Sequence, residues 1–297
     1  MPNHITNILN IKGNQQEVEK CLQSIKGTEK DEEGSYERLI DFNKIIPRPK
    51  SLDITSGSKV DNAIAILKDD EKYFNGMLDY PWVKQEGLTT TEQIKEHLKG
   101  SLSPQDFEEG KTAIENIQKY GCKDWYSWSI QYWGTKWNAY DQIEVGFGTI
   151  QFDTAWSTPF PVVQKLAAMF PELDFEVKFA DEDLGNNCGS YQFENGQIVG
   201  EYQPEGAEAM KFACEVKGYE FNQMIADNFE YWDLDNLKGY EESIVEMLQE
   251  GWVTELTDAA DRDENEGKEK IEYIKQLAID NELYEVAAEI DKQRSHE

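Results

Sequence analysis

Positive charge is what this sequence is short of. Its 297 residues hold 29 Lys and Arg against 59 Asp and Glu, a formal net charge of −30. Phosphate backbones are bound by clustered Lys and Arg, so such a chain is expected to repel DNA, RNA and anionic membranes. It is expected to be drawn to basic surfaces, including those that themselves bind nucleic acid. A merely very soluble surface is the competing reading, because charge bears on solubility and association rather than on fold.

Other absences narrow the field further. There are three histidines (His4, His97 and His296), and none stands beside a candidate nucleophile. Cys21, Cys122, Cys188 and Cys214 form no CxxC pair, which argues against a zinc site, a redox motif or a disulfide framework. No apolar run approaches the ~20 residues that span a bilayer. The start, "MPNHITNILNIKG", lacks the basic-then-apolar layout of a signal peptide, so a cytoplasmic protein is expected. GxGxxG, P-loop, GxSxG and HExxH motifs are missing, and no cofactor is expected. "DRDENEGKEKIE" sets Asp261, Asp263, Asn265 and Glu272 at EF-hand loop positions, but Glu266 stands where the turn needs Gly and Lys268 where an apolar residue belongs. It reads as an acidic linker, and no metal is expected.

What is present suffices for a core. With 39% apolar and 12% aromatic residues, one large or two smaller domains are expected. "HITNILNIKG" puts Ile5, Asn7, Leu9 and Ile11 on one side of a strand. Asn14 and Glu17 then fit a capping box for a helix with Val18, Cys21, Leu22 and Ile25 on one face and Gly27 as its cap. From about 58 to 121 the signals are helical, closing with a segment that starts at Ser103-Pro104 and ends at Gly121. "GTIQFDTAW" reads as a strand with Ile150 and Phe152 inward. "STPFPVVQKLAAMFP" reads as a helix capped by Ser157 or Thr158 and stopped by Pro171. "LDFEVKF" alternates Leu173, Phe175, Val177 and Phe179 against charged residues, and Asn195-Gly196 joins a hairpin. This order predicts an α+β fold: a ferredoxin-like antiparallel sheet over residues 1–204 with a helical insertion, then an acidic, mostly helical module over 205–297. The module carries 26 acidic and 9 basic residues and ends in a helical hairpin over 268–294. A hairpin that small is marginal alone and should dock on something.

The stretch "WYSWSIQYWGTKWNAYD", 125–141, poses the main question. Tyr126, Trp128, Ile130 and Tyr132 fall on one side of a two-residue period, which predicts a strand with that face buried. Nucleic-acid stacking surfaces interleave aromatics with cations, and Lys136 is the one base here. Trp125, Trp133 and Trp137 are less easily buried by the same pattern. The turn "GTKWNAYD" is therefore a candidate binding rim. Partner-binding candidates are Trp133, Lys136, Trp137, Tyr140 and Asp141, with Tyr273 and Tyr284 on the C-terminal hairpin. If the chain were an enzyme, Asp141 or Asp153 beside the tryptophans would be the candidate base, because apolar walls raise a carboxyl pKa.

Taken together, "PNHITNILNIKG", "DFNKIIPRP", "WGTKWNAYD", "FDTAWSTPFPVVQKLAAMFPELDFEV" and "GSYQFENGQIV" resemble the YubB-type ferredoxin-like family, over roughly residues 1–203 without the insertion. That resemblance implies a ferredoxin-like fold and an origin on phages, plasmids or other mobile elements; the family carries no established enzymatic activity. "IEYIKQLAIDNELYEVAAEIDKQR" is similar to the UVR-type helical hairpin of excision repair, with Asp291 and Lys292 where that motif usually has an Arg-Asp pair. The leading expectation is a non-enzymatic phage or mobile-element protein of the host cytoplasm. It would bind a host protein with a basic nucleic-acid-binding surface, as an anti-defence inhibitor of a DNA-binding or DNA-cleaving immune complex. The alternatives are a small-ligand or enzymatic site lined by Trp133, Trp137, Asp141 and Asp153, and a structural accessory protein that forms homo-oligomers through its C-terminal hairpin.

Overall fold

The computed structural model describes residues 2–30 and 34–294, so His296 lies outside the described residues. The chain opens with β1 (His4–Lys12) and α1 (Gln15–Ile25), followed by the paired β2 (Gly27–Lys30) and β3 (Ser35–Arg38) and the one-turn α2 (Phe42–Ile45). Helices α3 (Ser58–Lys68), α4 (Glu71–Asn75), α5 (Pro81–Gln85), α6 (Thr91–Ser101) and α7 (Pro104–Tyr120) form the insertion, and α8 (Trp125–Tyr132) follows. Next come β4 (Tyr140–Gly146), β5 (Thr149–Ala155), α9 (Phe160–Met169), β6 (Asp174–Asp181), β7 (Gly189–Glu194) and β8 (Gln197–Tyr202). The C-terminal part comprises α10 (Gly206–Lys217), α11 (Phe221–Phe229), α12 (Leu234–Leu237), α13 (Glu241–Glu250), α14 (Val253–Arg262), α15 (Gly267–Asp280) and α16 (Tyr284–Arg294).

Six strands form one antiparallel sheet in the order β4-β5-β1-β6-β7-β8. Within it, β1–α1–β4–β5–α9–β6 gives the split-βαβ arrangement of a ferredoxin-like sheet, and the β7–β8 hairpin widens one edge. That hairpin turns at Asn195 (φ 50°) and Gly196 (φ 71°), the paired positive φ values of a tight two-residue turn. One face of the sheet is covered by α1, α2, α8 and α9. Leu9, Ile11, Phe152, Phe175 and Val177 meet Val18, Ile25, Phe42, Val163 and Leu166 there, all buried. The opposite face is covered by α10, whose Ala209, Ala213 and Val216 pack on Ala180, Cys188 and Ile8. Lys178 pairs with Glu215 at 2.8 Å and Lys217 donates to Thr6 at 3.3 Å along the same contact.

The insertion has its own small core of Ala65, Phe74, Val83, Ile94 and Leu98. Its two longer helices touch where a Cβ on Gly110 would come within 2.7 Å of Ala63, so only glycine admits this approach of α7 to α3. Buried Asn116 clasps the insertion to the body, donating to the carbonyls of Ser51 (2.8 Å) and Lys123 (3.2 Å).

Several expectations require correction. Residues 125–132 are a helix, not a strand. Asp124 accepts from the Ser127 N–H at 2.9 Å and closes a capping box, and helical spacing stacks Trp128 on Tyr132 at 4.9 Å. Ile130, expected inward, is exposed. Neither Ser157 nor Thr158 caps α9: Pro159 holds that position, Ser157 donates to the Gly134 carbonyl, and the buried Thr158 hydroxyl has no hydrogen-bond partner among the described residues. Asn14 caps α1 through the Gln16 N–H, and Gly27 opens β2 instead of capping the helix. The acidic linker expected from Asp261 is shorter than that, since α14 runs to Arg262 and α15 starts at Gly267.

The C-terminal hairpin docks within its own chain. Ile271, Ile274, Leu277, Ala287 and Ile290 share a core with α11, α13 and α14. At its centre Lys270, wholly buried, donates to the carbonyls of Phe229 (2.9 Å) and Glu230 (3.0 Å) and pairs with Asp263 at 2.5 Å. That pairing, with the N–H groups of Asn265 and Glu266, lowers the Asp263 pKa to about 2. A depressed carboxyl stabilises the fold above its ordinary pKa, and the contribution is lost as pH falls from about 4 toward 2. Lys270→Ala is expected to cost about 1–3 kcal/mol, because it removes the buried ammonium from two carbonyls and from the part-buried Asp263 carboxylate. Denaturant titration at neutral pH and at pH 2 checks this: the deficit should shrink in acid, and a loss below 1 kcal/mol at neutral pH rejects it.

Candidate functional site

The aromatic turn after α8 is fixed from beneath. Gly134 adopts φ 76°, where a Cβ would strike Pro161 at 2.7 Å. Thr135 exchanges hydrogen bonds with Ala155, donating to its carbonyl at 2.8 Å and accepting its N–H at 3.1 Å. Asn138 accepts the Phe42 N–H at 2.9 Å and donates to Asp41 at 2.8 Å, while Gln142 accepts the Ile40 N–H and donates to the Ile40 carbonyl. The turn is thereby tied to the β3–α2 connection.

Between them lies a cleft of about 580 Å³. Trp133 forms its floor. Expected as a rim residue, it is 1% exposed; its ring meets Phe42 and Trp128 edge to face, and its indole N–H donates to the Ile46 carbonyl at 2.9 Å. It is a core residue that shows one side to the cleft. Trp125, Trp137 and Tyr140 form the walls, and Trp137 is exposed as expected, edge to face with Tyr140 at 6.0 Å.

The charged groups lining the cleft differ from the expected set. Asp141 stands in the left-handed region (φ 48°) at a bulge of β4, exposed, and Asp153 lies with Tyr140, His4 and Thr6; neither lines the cleft. In their place are Arg38, Arg48 and Lys136, with Glu29 and Asp41. Arg38 pairs with Glu29 and donates to the Ala139 carbonyl. Arg48 lies over the Trp133 ring at 5.3 Å and binds Asp53 through two nitrogens, at 2.7 and 2.9 Å. The Lys136 ammonium sits among three rings, 4.7 Å from Trp137, 4.9 Å from Trp156 and 6.0 Å from Tyr126. Sequence reasoning missed Arg38, Arg48 and Trp156, which are remote in sequence from the turn, and placed Tyr126 on a buried sheet face.

On the other side of Tyr140 is a half-buried polar group. Tyr140 donates to the Thr154 carbonyl at 3.1 Å, so its oxygen accepts from His4 Nδ1 at 2.8 Å. Burial, then the charge of Asp153, pushes the Tyr140 hydroxyl up to about 12. Burial also raises Asp153, against the lowering effect of the Thr6 hydroxyl and Lys217.

Tyr273 and Tyr284 belong to the C-terminal helices, not to the cleft. Tyr273 donates to Glu241 at 2.9 Å, while Tyr284 is exposed. A second cleft of about 530 Å³ opens in that module, lined by Tyr231, Trp232, Asp233, Glu264 and Glu266 among others. Tyr231 is 75% exposed there. Among the described residues no helix is long and apolar enough to cross a membrane.

The sheet order and its helical cover define a ferredoxin-like α+β protein with an elaborated crossover. Residues 132–224, from the end of α8 into α11, match the family model of the ferredoxin-like domain in Api92-like protein. A crystal structure of a protein api92 from Yersinia pseudotuberculosis is similar at 13% identity and a TM-score of 0.32, over 69% of this chain and 99% of that one. No curated protein matches.

Two predictions follow from this geometry. Trp133→Ala is expected to cost about 3–5 kcal/mol of stability, and Trp137→Ala far less; equal losses in denaturant titration would contradict the division into floor and rim. Asp153 has a raised folded-state pKa, so stability falls as pH rises from the ordinary aspartate range through the raised value. Asp153→Asn should therefore raise the melting midpoint at pH 7, with an advantage that vanishes in acid. A midpoint lowered at pH 7 counts against this account.

Proposed function

We propose that this is a non-enzymatic binding protein that engages a basic, nucleic-acid-binding surface of a host protein through its own acidic surface. The observation that carries this reading is the charge: −30 overall, with 26 acidic against 9 basic residues from 205 onward. Self-repulsion opposes compaction, and a field of this sign steers basic surfaces into encounter. The exposed Tyr231 beside Asp233, Glu264 and Glu266 supplies the aromatic-and-carboxylate chemistry that holds an Arg or Lys side chain. Together with the resemblance to a mobile-element family, this favours an anti-defence inhibitor that covers the DNA site of an immune complex. The partner's DNA and this protein then compete for one surface.

The hairpin reading as an oligomerisation device has less support, since the apolar face of α15 and α16 is packed against α11, α13 and α14 of the same chain.

The test is a tagged-protein capture from bacterial lysate at low and high salt, followed by a duplex-DNA competition assay on whatever is retained. A DNA-binding protein that is released by salt, and whose DNA binding is blocked by the chain, is the expected result. A complex indifferent to salt, or one that still binds DNA, rejects the proposal. Glu264→Lys combined with Tyr231→Ala, two exposed side chains of the C-terminal cleft, should weaken capture at low salt and leave the melting midpoint nearly unchanged.

A further inference from the structure

The cleft at the aromatic turn inverts the chemistry of the rest of the chain. In a protein with twice as many acidic as basic residues, three cations and only two carboxylates, Glu29 and Asp41, line one cleft with three aromatic walls. Two of the cations are fixed by neighbouring carboxylates, Arg38 by Glu29 and Arg48 by Asp53. Lys136 is different: its ammonium meets the faces of Tyr126, Trp137 and Trp156, and among the described residues it pairs with no carboxylate. Ring faces stabilise an ammonium but do not neutralise it. The cation is thus positioned, partly desolvated and uncompensated, which is the state in which an incoming anion gains most.

We infer that this cleft binds a small ligand consisting of a flat aromatic ring joined to an anionic group, the chemistry of a nucleoside monophosphate. The anion meets Lys136, the one lining cation whose charge is not matched by an ion pair among the described residues, while the paired Arg38 and Arg48 offer directed N–H donors. The ring stacks on the exposed indole of Trp137 or on Trp125. A cleft of about 580 Å³ lies within the size range of small-molecule sites. A nucleic-acid strand is disfavoured, because the net charge of −30 repels a polyanion along its whole length while a single phosphate is held by local cations. Asp141 and Asp153, expected to line a small-ligand site, lie outside the cleft. This inference stands independently of the partner-binding proposal, since it concerns another part of the surface and the opposite sign of charge.

The experiment is titration of the full chain with the four nucleoside 5′-monophosphates and, separately, with their parent nucleosides, followed by tryptophan fluorescence and calorimetry. At least one monophosphate should bind and quench fluorescence, and its nucleoside should bind at least tenfold more weakly. Lys136→Met, which keeps the apolar stem, should lower the affinity for the monophosphate at least tenfold, the loss expected for a charge-assisted hydrogen bond. Lys136→Arg should restore most of it, and the melting midpoints of both variants report on folding. The inference is overturned if none of the four binds at millimolar concentration, if nucleoside and monophosphate bind equally, if folded Lys136→Met binds as the parent does, or if a single-stranded oligonucleotide binds more tightly than the monophosphate.

Discussion

β1 is the strand on which the fold depends. It pairs antiparallel with β5 on one side and β6 on the other, through registers that run almost its full length. Leu9 and Ile11 point into the core beneath α1 and α9, Ile5 is fully buried on the same side of the strand, and Ile8 points into the contact with α10. A central strand with apolar side chains on both faces needs cover on both. The ferredoxin-like crossovers supply helices to one face only. The second cover comes from α10, beyond the last strand, so the acidic region begins by completing the sheet before it builds its own core. Leu184 belongs to both of these clusters and joins them.

The same economy of position explains the cleft. Its floor, Trp133, is a core residue, and its walls come from a helix start, a turn and a strand start that the core holds in place. Arg38 ends β3 and Arg48 follows α2, and both are oriented by ion pairs too exposed to add much stability. Their consequence is geometric: they set cationic groups opposite the aromatic turn.

Much of the fold was legible because its signals were local. The alternation in β1 and β6, the Asn195-Gly196 turn and the Ser103-to-Gly121 helix each follow from side-chain period or backbone freedom. The misreading of 125–132 has a definite cause. Trp, Tyr and Ile favour strands by shape, and alternating Ser mimics a strand's polar face. Asp124 with Ser127 was a capping signal of the weaker kind, lacking Glu or Gln at the third position, and burial of Trp128 against the core decided for the helix. The cleft was half legible. Lys136, Trp137 and Tyr140 are there because they lie in one turn, whereas Arg38, Arg48 and Trp156 are joined to them only by folding. Asp141 and Asp153 were misplaced for a related reason: nearness to tryptophan in sequence says nothing about which side of a strand a carboxylate leaves.

The insertion of α3 to α7 enters the fold within a single crossover connection, between α1 and β4, and brings its own core with it. Among the described residues the six strands contribute nothing to that core, and the joint to the host combines the Asn116 clasp and the Lys123–Asp61 ion pair with Tyr120 at the edge of the main core. Such a segment is a cassette. Its sequence can be lengthened, trimmed or replaced under selection for a new contact while sheet register and cleft floor stay as they are, so variation among relatives has a place to accumulate without unfolding the host.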